Sequence, residues 1–519
     1  MPEVVVPEWF NAASRFVDRN LEEGRGKNVA ILYGDQELTY RDVCEQVNRT
    51  GNALQELGLE MENRIMLLLL DCPEFTYSFF GAMKIGAVPV PVNTLLKPAD
   101  YRYQLQDSRA KVLVVSQELL PSVESILEGL EYLEHVVVVG QADGRRSFNA
   151  VVANQPTTLE SARTRKDDVA FWLYTSGTTG EPKAAVHLHH DMVYCSELYD
   201  KGILNLSAQD RTFSVAKLFF AYGLGNALYG PFDVGATTIL FPGRPLPEHI
   251  FEVVNRYRPT LFFAVPTAYA AMLHAVERGA EVDMSSVRLA ISAGEPLPAS
   301  IYQRWLDRFG VEILDGIGST EILHIFLSNR PGAVRPGSSG MLVPGYEAKL
   351  VDDGGHPVHQ GEIGNLMIKG DSTCAYYWNK HDITREKIRG EWIHTGDKYH
   401  MDTDGYYWYD GRDDDMLKVG GRWVSPSEVE SAVVEHPVVL ECAVVGAEDE
   451  EELIKPKAYV VLKDGSSGSD DITQSIKEFV KERIAPYKCP RWIEFVDELP
   501  KTATGKIQRF KLRRQASES

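Results

Sequence analysis

Several kinds of residue pattern are missing from this 519-residue chain, and each absence excludes a class of protein. Its six cysteines, Cys44, Cys72, Cys195, Cys374, Cys442 and Cys489, are scattered. They form no CxxC pair and no Cys/His cluster of zinc spacing, which argues against a disulfide framework or a structural zinc and for reduced thiols in the cytosol. Basic residues are in deficit: 54 Lys and Arg against 74 Asp and Glu leave a net charge of −20. That balance argues against a nucleic-acid partner, since phosphate contacts need clustered Lys and Arg. Long apolar runs are lacking too. The longest tight run, residues 65–70, is far too short to span a bilayer, so no membrane role is expected. The first residues, MPEVVVPEWF, show neither a basic n-region nor a long apolar h-region, and no secretory signal is expected. A GxxxxGK[ST] phosphate loop does not occur, and no internal repeat is evident.

What is present is ordinary in bulk: 44% apolar and 25% charged residues, as in a soluble globular protein. The length is too great for one core and calls for two to four domains. Helical and strand patterns alternate. LTYRDVCEQVNRTGNALQELGL has apolar residues at helical spacing and ends at a glycine; RIMLLLL then reads as a buried strand. FTYSFFGAMKIGAVPVPV reads as a helix, a turn at Gly86 and a strand, and YRYQLQDSRAKVLVVS repeats helix then strand. This is an α/β pattern with largely parallel sheets. The texture changes near residue 411. There Ser425 is a good helix N-cap, Pro426 suits the first helical position and Glu428 completes the box. Two strand-like runs, 442–445 and 457–462, and a helix around 476–484 follow. The expected organisation is a large N-terminal domain, residues 1–412, and a small C-terminal domain, residues 413–519, with a hinge near Asp414.

One stretch cannot be explained by packing. YTSGTTGEPK, residues 174–183, combines glycines with four hydroxyl side chains and a lysine after a proline. Such a loop lets backbone amides and hydroxyls approach a dense cluster of negative oxygens. It follows a buried strand, VAFWLY, a place where α/β proteins hold phosphates. From residues alone it is a phosphate loop or simply a turn.

The full string, Tyr174-Thr175-Ser176-Gly177-Thr178-Thr179-Gly180-Glu181-Pro182-Lys183, resembles the signature of the adenylate-forming (acyl-activating, ANL) superfamily. Further motifs follow in that family's order: SAGEPL at 292–297, DGIGSTE at 315–321, WIHTGD at 392–397, GRDDDMLKVGGRWVSPSEVE at 411–430 and PKTATGK at 500–506. The resemblance therefore covers nearly the whole chain. It implies an α/β fold of stacked sheets with a small, mobile C-terminal α+β domain. It also implies ATP, Mg²⁺ and coenzyme A as the small molecules used. In that chemistry a carboxylate attacks the α-phosphorus of ATP, pyrophosphate leaves, and a thiol then takes the acyl group from AMP. An anion must approach a polyanion, so positioning and charge stabilisation dominate.

By the resemblance, Thr175, Ser176, Gly177, Thr178, Thr179 and Gly180 would hold the β- and γ-phosphates, with Lys183 nearby. Ala293, Gly294 and Glu295 would lie on the adenine side, with Asp315 and Gly316. Thr320 would bond the α-phosphate, and Glu321 would coordinate Mg²⁺, a hard cation that prefers oxygen ligands. Asp397 would accept from both ribose hydroxyls, and Arg412 would contact ribose or phosphate. Lys506 would bridge the attacking carboxylate and the α-phosphate; read from residues alone it is one cation in a solvated basic tail. Asp414 aligns with the hinge, and Gly420 and Gly421 would line the pantetheine channel.

The acid is narrowed by another absence. No acidic residue occurs between Arg211 and Phe232, where amino-acid-activating relatives place an aspartate for the substrate's ammonium. KLFFAYGLGNALYGPFDVGATT and GSTEILHIFLSN resemble benzoate–CoA ligases and their hydroxybenzoate-activating relatives. That implies a ring pocket of Ala221, Tyr222, Gly223, Gly318, His324 and Ile325, with Lys418 approaching the carboxylate. Benzoate is the first expectation. A hydroxybenzoate would need a partner for its hydroxyl, with Tyr222 and His324 as candidates. Hydroxy- or aminobenzoates, and an enzyme that loads a carrier protein instead of CoA, stay open. A homodimer is a family expectation only.

Overall fold

A computed structural model of the chain describes residues 4–142, 144–175, 181–412, 415–419, 422–449, 453–463, 468–501 and 507–518. Local chemistry sets the first elements. The helix Tyr40–Glu56 opens on Thr39, whose hydroxyl accepts from the Asp42 N–H while the Asp42 carboxylate accepts from the Thr39 N–H. It buries Val43, Val47 and Leu54 on one face. The strand Arg64–Leu68 follows, then the helix Pro73–Lys84 with proline in its first turn. Gly86 turns the chain at φ +77°, a conformation glycine adopts without strain, into the strand Val88–Pro91. These pieces belong to a five-stranded, all-parallel sheet in the order Val88–Pro91, Arg64–Leu68, Val112–Ser116, His135–Val139, Arg146–Ser147.

A nine-stranded sheet stands at the centre of the large part of the chain. Its order is Met341–Leu342, Ile325–Ser328, Ile313–Gly318, Leu289–Ser292, Leu261–Ala264, Arg211–Ser214, Thr237–Ile239, Val29–Tyr33, Gln36–Thr39. The pairings from Ile313–Gly318 to Val29–Tyr33 are parallel and those at both ends antiparallel. Two further sheets are antiparallel throughout. One joins Glu347–Val351, Gly364–Lys369, Trp392–Met401, Ile388–Arg389 and Tyr407–Arg412. The other joins Tyr376–Tyr377, Lys183–Leu188 and Val169–Thr175. The expectation of largely parallel sheets thus holds for the two sheets built of alternating helices and strands. It fails where hairpins connect the strands.

The chain from residue 417 on has its own apolar clusters, separate from those of residues 6–407. The Ser425 hydroxyl accepts from the Glu428 N–H and opens the helix Pro426–Val434, as its cap signal predicts. The strands Val439–Glu448 and Ile454–Leu462 are antiparallel, and a third, Trp492–Phe495, joins parallel. The helix expected around 476–484 runs Asp470–Lys481. Ser469 caps it at Ile472 N–H, and two aspartates occupy its first turn. The basic tail is a helix, Arg509–Glu518, not a solvated strand of cations. Leu512 is buried, Arg509 pairs with Glu430 at 2.7 Å, and Arg513 pairs with Asp415 at 2.6 Å. Among the described residues no helix is long and apolar enough to cross a membrane. All six cysteines are unpaired, and five of them are buried.

Candidate active site

The Gly/Thr-rich stretch does not lead from a strand into a helix. Its flanking strands, Val169–Thr175 and Lys183–Leu188, are antiparallel, with Thr175 opposite Lys183. These two strands therefore pair as the arms of a hairpin. Ser176, Gly177, Thr178, Thr179 and Gly180 lie outside the described residues. Lys183, at the root of the loop, is not a solvated surface lysine. Its Nζ sits 5.0 Å from the centre of the Tyr377 ring, and it is half-buried. Burial lowers its pKa, and the charge of Glu321 works against that shift.

Glu321 lies on the turn that follows the strand Ile313–Gly318. Gly316 and Gly318 are obligatory here, because the chain folds straight back as Ile325–Ser328. A Cβ on Gly316 would stand 2.6 Å from the Leu327 carbonyl oxygen, and one on Gly318 2.6 Å from that of His324. Between these strands Thr320–Ile322 makes a single 3₁₀ turn, capped by the Ser319 hydroxyl at Ile322 N–H. The Tyr377 hydroxyl donates to Glu321 Oε1 at 2.7 Å, and the Cys374 N–H donates to the Glu321 carbonyl at 2.6 Å. Glu321 Oε2 makes no hydrogen bond among the described residues, and no group of three His, Cys, Asp or Glu there could hold a metal by itself. A lone carboxylate with one oxygen to spare fits Mg²⁺, which takes one or two carboxylates and completes its shell from phosphates and water.

Of the residues expected on the adenine side, Asp315 is fully buried, and burial raises its carboxyl to about 7. Its Oδ2 accepts from the Leu297 N–H at 3.2 Å, while Oδ1 is enclosed without a hydrogen-bond partner among the described residues. The segment between carries Ala293, which is buried, Gly294 at φ +97°, and Glu295. Asp397 and Arg412 face one another across two paired strands, Trp392–Met401 and Tyr407–Arg412. Arg412 Nη1 donates to Asp397 Oδ1 at 2.9 Å and to the Thr395 carbonyl at 3.3 Å.

The ring-pocket candidates also converge. Ala221 and Tyr222 open a helix whose middle, Gly225–Tyr229, is π-helical. A Cβ on Gly223 would stand 2.1 Å from the Lys217 carbonyl oxygen, so only glycine fits there. His324 and Ile325 lie beyond the Thr320–Ile322 turn and are buried. The His324 ring is surrounded by Tyr199, Tyr222 and Tyr229 at centroid distances of 5.2, 6.2 and 6.1 Å. Burial lowers its pKa to about 3, so the ring is neutral. Its Nε2 lies 3.1 Å from Asn226 Oδ1 and, facing an acceptor, donates to it; Nδ1 is buried without a partner among the described residues. Of the two candidates for a substrate hydroxyl, Tyr222 is already committed: its own hydroxyl donates to the Ile291 carbonyl at 3.1 Å.

Lys418 lies on the strand Leu417–Val419, but its side chain is outside the described part, as are Asp414, Gly420, Gly421 and Lys506 in full. Tyr377 escapes sequence reasoning. It reaches Glu321 only because the strand Tyr376–Tyr377 pairs with Lys183–Leu188, and nothing in AYYWN announces that pairing.

The chain is similar to known proteins over nearly its whole length. A family model described as AMP-binding enzyme matches residues 17–378, and one described as AMP-binding enzyme C-terminal domain matches residues 428–506. A benzoate–CoA ligase of Thauera aromatica is 51% identical over 514 residues, 99% of this chain and 97% of that protein. A 4-hydroxybenzoate–CoA/benzoate–CoA ligase of Rhodopseudomonas palustris is 46% identical, covering 97% of this chain and 94% of its own. The solved structure of an anthranilate CoA ligase in complex with anthranoyl-AMP superposes with a TM-score of 0.95 at 49% identity, covering 99% of this chain and 98% of that one.

Proposed function

The chain belongs to the AMP-binding, adenylate-forming enzyme family, and on that premise we propose that it is a benzoate–CoA ligase. It converts benzoate and ATP to benzoyl-AMP and pyrophosphate, then transfers the benzoyl group to coenzyme A and releases AMP. The observation that carries this reading is the position of His324, only a few residues past the Thr320–Glu321 turn. An uncharged imidazole packed among three tyrosine rings thus adjoins the turn that would meet the α-phosphate. A flat ring with no charge of its own suits such walls, and its carboxylate is left pointing at the phosphate side.

In this reading Thr175 to Gly180 grip the outer phosphates, Lys183 adds a positive charge at their base, and Thr320 bonds the α-phosphate. Bound Mg²⁺ neutralises phosphate charge, and Glu321 would hold it while Tyr377 keeps that carboxylate oriented. Asp397 holds the ribose, with Arg412 fixing the carboxylate's orientation, and Asp315 faces the adenine. Lys506, delivered by a C-terminal domain of residues 413–519, balances the charge as the benzoate oxygen attacks. A hinge at Asp414 then turns that domain so that Gly420 and Gly421 line the thiol's approach. Unpaired, mostly buried thiols and the acidic surface suit a cytoplasmic enzyme that needs neither membrane nor nucleic acid.

A second reading, 2-aminobenzoate or a hydroxybenzoate, is favoured by one atom. His324 Nδ1, left as an acceptor by the bond from Nε2 to Asn226, has no partner among the described residues and could take a ring N–H or O–H. Sites built to bond such a group reject the analogue lacking it far more strongly than apolar pockets reject an added one. The test is AMP release with ATP, Mg²⁺ and free CoA as the only thiol, run across benzoate, the three hydroxybenzoates, 2-aminobenzoate, cinnamate, hexanoate and phenylalanine. Benzoate leading in kcat/KM is expected. A lead for 2-aminobenzoate moves the assignment to the second reading, and a lead for hexanoate or phenylalanine overturns the ring pocket. Adenylate formation without CoA turnover would identify a carrier-loading enzyme instead.

A further inference from the structure

The turn that carries Thr320 and Glu321 is too short to hold itself. A single 3₁₀ turn has no cooperative length behind it, and it ends on Leu323, a non-glycine residue at φ +71°. Beside the Leu323 N–H that the Thr320 oxygen accepts at 3.3 Å, its three successive carbonyls are each held from outside the turn. The Glu321 oxygen accepts from Cys374 N–H at 2.6 Å, and the Ile322 oxygen accepts from the Ser372 hydroxyl at 2.8 Å. The third, Thr320 O, accepts from His187 Nε2 at 2.8 Å.

His187 is completely buried, stacked on the Phe171 ring at 5.1 Å, and its other nitrogen, Nδ1, lies 2.8 Å from Asp191 Oδ2. The same carboxylate oxygen accepts from the Leu188 N–H at 3.1 Å, which fixes its position. A carbonyl can only accept, so Nε2 must be the donor toward Thr320. Nδ1 faces the Asp191 carboxylate, and that contact fixes the plane of the ring and so the direction of Nε2 toward Thr320. His187 sits on the strand Lys183–Leu188, which starts where the Gly/Thr loop ends. It is therefore the side chain that ties the strand below that loop to the Thr320–Glu321 turn.

We propose that His187, oriented by Asp191, is a positioning residue for adenylate formation: it sets the Thr320 peptide and, through it, the Thr320 hydroxyl and the Glu321 carboxylate. The inference rests on the functional reading above. It differs from a purely structural role in what it predicts for the two half-reactions. Of the turn's two side chains, Glu321 would serve Mg²⁺ and the outer phosphates only while ATP is being attacked, so attack of a thiol on an adenylate already made, which keeps only the α-phosphate, should depend less on how tightly the turn is held.

The test compares wild type with His187→Leu, His187→Gln and Asp191→Asn. His187→Leu is expected to lower benzoyl-AMP formation about 10- to 100-fold, the scale of lost outer-sphere partners, and to raise the Mg²⁺ needed for half-maximal rate. Thioester formation from supplied benzoyl-AMP should stay within about threefold. His187→Gln, whose amide N–H reaches toward the same carbonyl, should recover most of the loss, and Asp191→Asn should fall between. In ligand-free protein, hydrogen exchange across residues 319–323 should quicken in His187→Leu and not in His187→Gln. Equal loss of both half-reactions, or Gln no better than Leu, or unchanged exchange, would overturn the proposal. If His187→Leu does not fold, the same comparison between His187→Gln, Asp191→Asn and wild type decides it. If wild type makes no adenylate from any aryl acid, it is the functional reading that has failed, and this proposal falls with it.

Discussion

Replacing Gly225 with alanine adds one methyl group and changes nothing else about the local backbone, because Gly225 sits in an ordinary helical conformation at φ −66°. The methyl would stand 2.2 Å from His324 Cδ2, 2.4 Å from Nε2 and 2.8 Å from the Tyr229 hydroxyl. Carbon atoms settle near 3.5 Å, so the imidazole must withdraw by about 1 Å. It has nowhere easy to go, with tyrosine rings on three sides and the Asn226 bond at 3.1 Å. Overpacking of this kind costs about 1–3 kcal/mol, and a broken internal hydrogen bond about 1 more. If His324 walls the ring pocket, the displaced imidazole also enters the space meant for the acid. A misplacement of about 1 Å can cost on the order of 100-fold in rate. The assay is AMP release with the acid and ATP titrated separately, alongside urea unfolding. The expectation is a fall of about 2–4 kcal/mol in stability, summed from those same two terms. The KM for benzoate should rise about tenfold or more, with the KM for ATP within about twofold, as expected of a defect confined to the acid's side. In the double variant with His324→Ala the two nearer clashes are gone and only the Tyr229 hydroxyl at 2.8 Å remains, so adding Gly225→Ala should destabilise it clearly less than it destabilises the wild type. A less stable protein whose benzoate kinetics are unchanged would refute His324 as pocket wall, and unchanged stability would refute the packing itself.

Four further outcomes follow from named contacts. Tyr377→Phe removes the 2.7 Å bond to Glu321; a hydrogen bond to a charged group is worth about 1.5–3 kcal/mol, so kcat/KM for ATP at limiting Mg²⁺ should drop roughly 10- to 100-fold while the melting temperature holds. Lys506→Ala should cripple adenylate formation and spare thioester formation from supplied benzoyl-AMP; equal loss of both would sink alternation between two domain positions. Asp315 has a folded-state pKa of about 7 against an ordinary 3.8, so the folded protein holds its proton longer than the unfolded chain. Its contribution to stability is unaffected below pH 4 and declines as pH rises through the window from 4 to 7, and urea titrations should show that slope flattened in Asp315→Asn. Asp233 is the reverse case. Despite burial, Arg15, Lys201 and Arg19 together hold its carboxyl well below the usual range, so its stabilisation is lost as pH falls below about 4. Asp233→Asn takes the shared carboxylate from three cations, of which Arg15 and Lys201 keep Glu197 and Arg19 keeps Glu23, and should cost about 1–3 kcal/mol at neutral pH, with a loss under 1 kcal/mol contradicting the assignment of this cluster as a structural anchor.

What the sequence discloses and what it hides divide along one physical line. Motifs whose chemistry is local are legible: the cap at Ser425 and the turn at Gly86. Strand pairing is not local, and each surprise here comes from it. VAFWLY reads as a buried strand, but its sequence does not say that it pairs back on the residues after Lys183, where Ala184, Ala185 and Val186 are buried. That hairpin brings Tyr377 to Glu321 and His187 to Thr320, from positions 56 and 133 residues distant. The basic tail illustrates the same point with charge. Lys501, Arg509, Lys511, Arg513 and Arg514 look alike in the sequence, but Arg509 and Arg513 are each claimed by a carboxylate 79 and 98 residues earlier. Arg513 holds Asp415, and Arg412 belongs with Asp397 on the other side of the aspartate run. The residues most visible in the sequence are the ones that would touch substrate. The ones that aim them are found only when distant strands have been laid side by side.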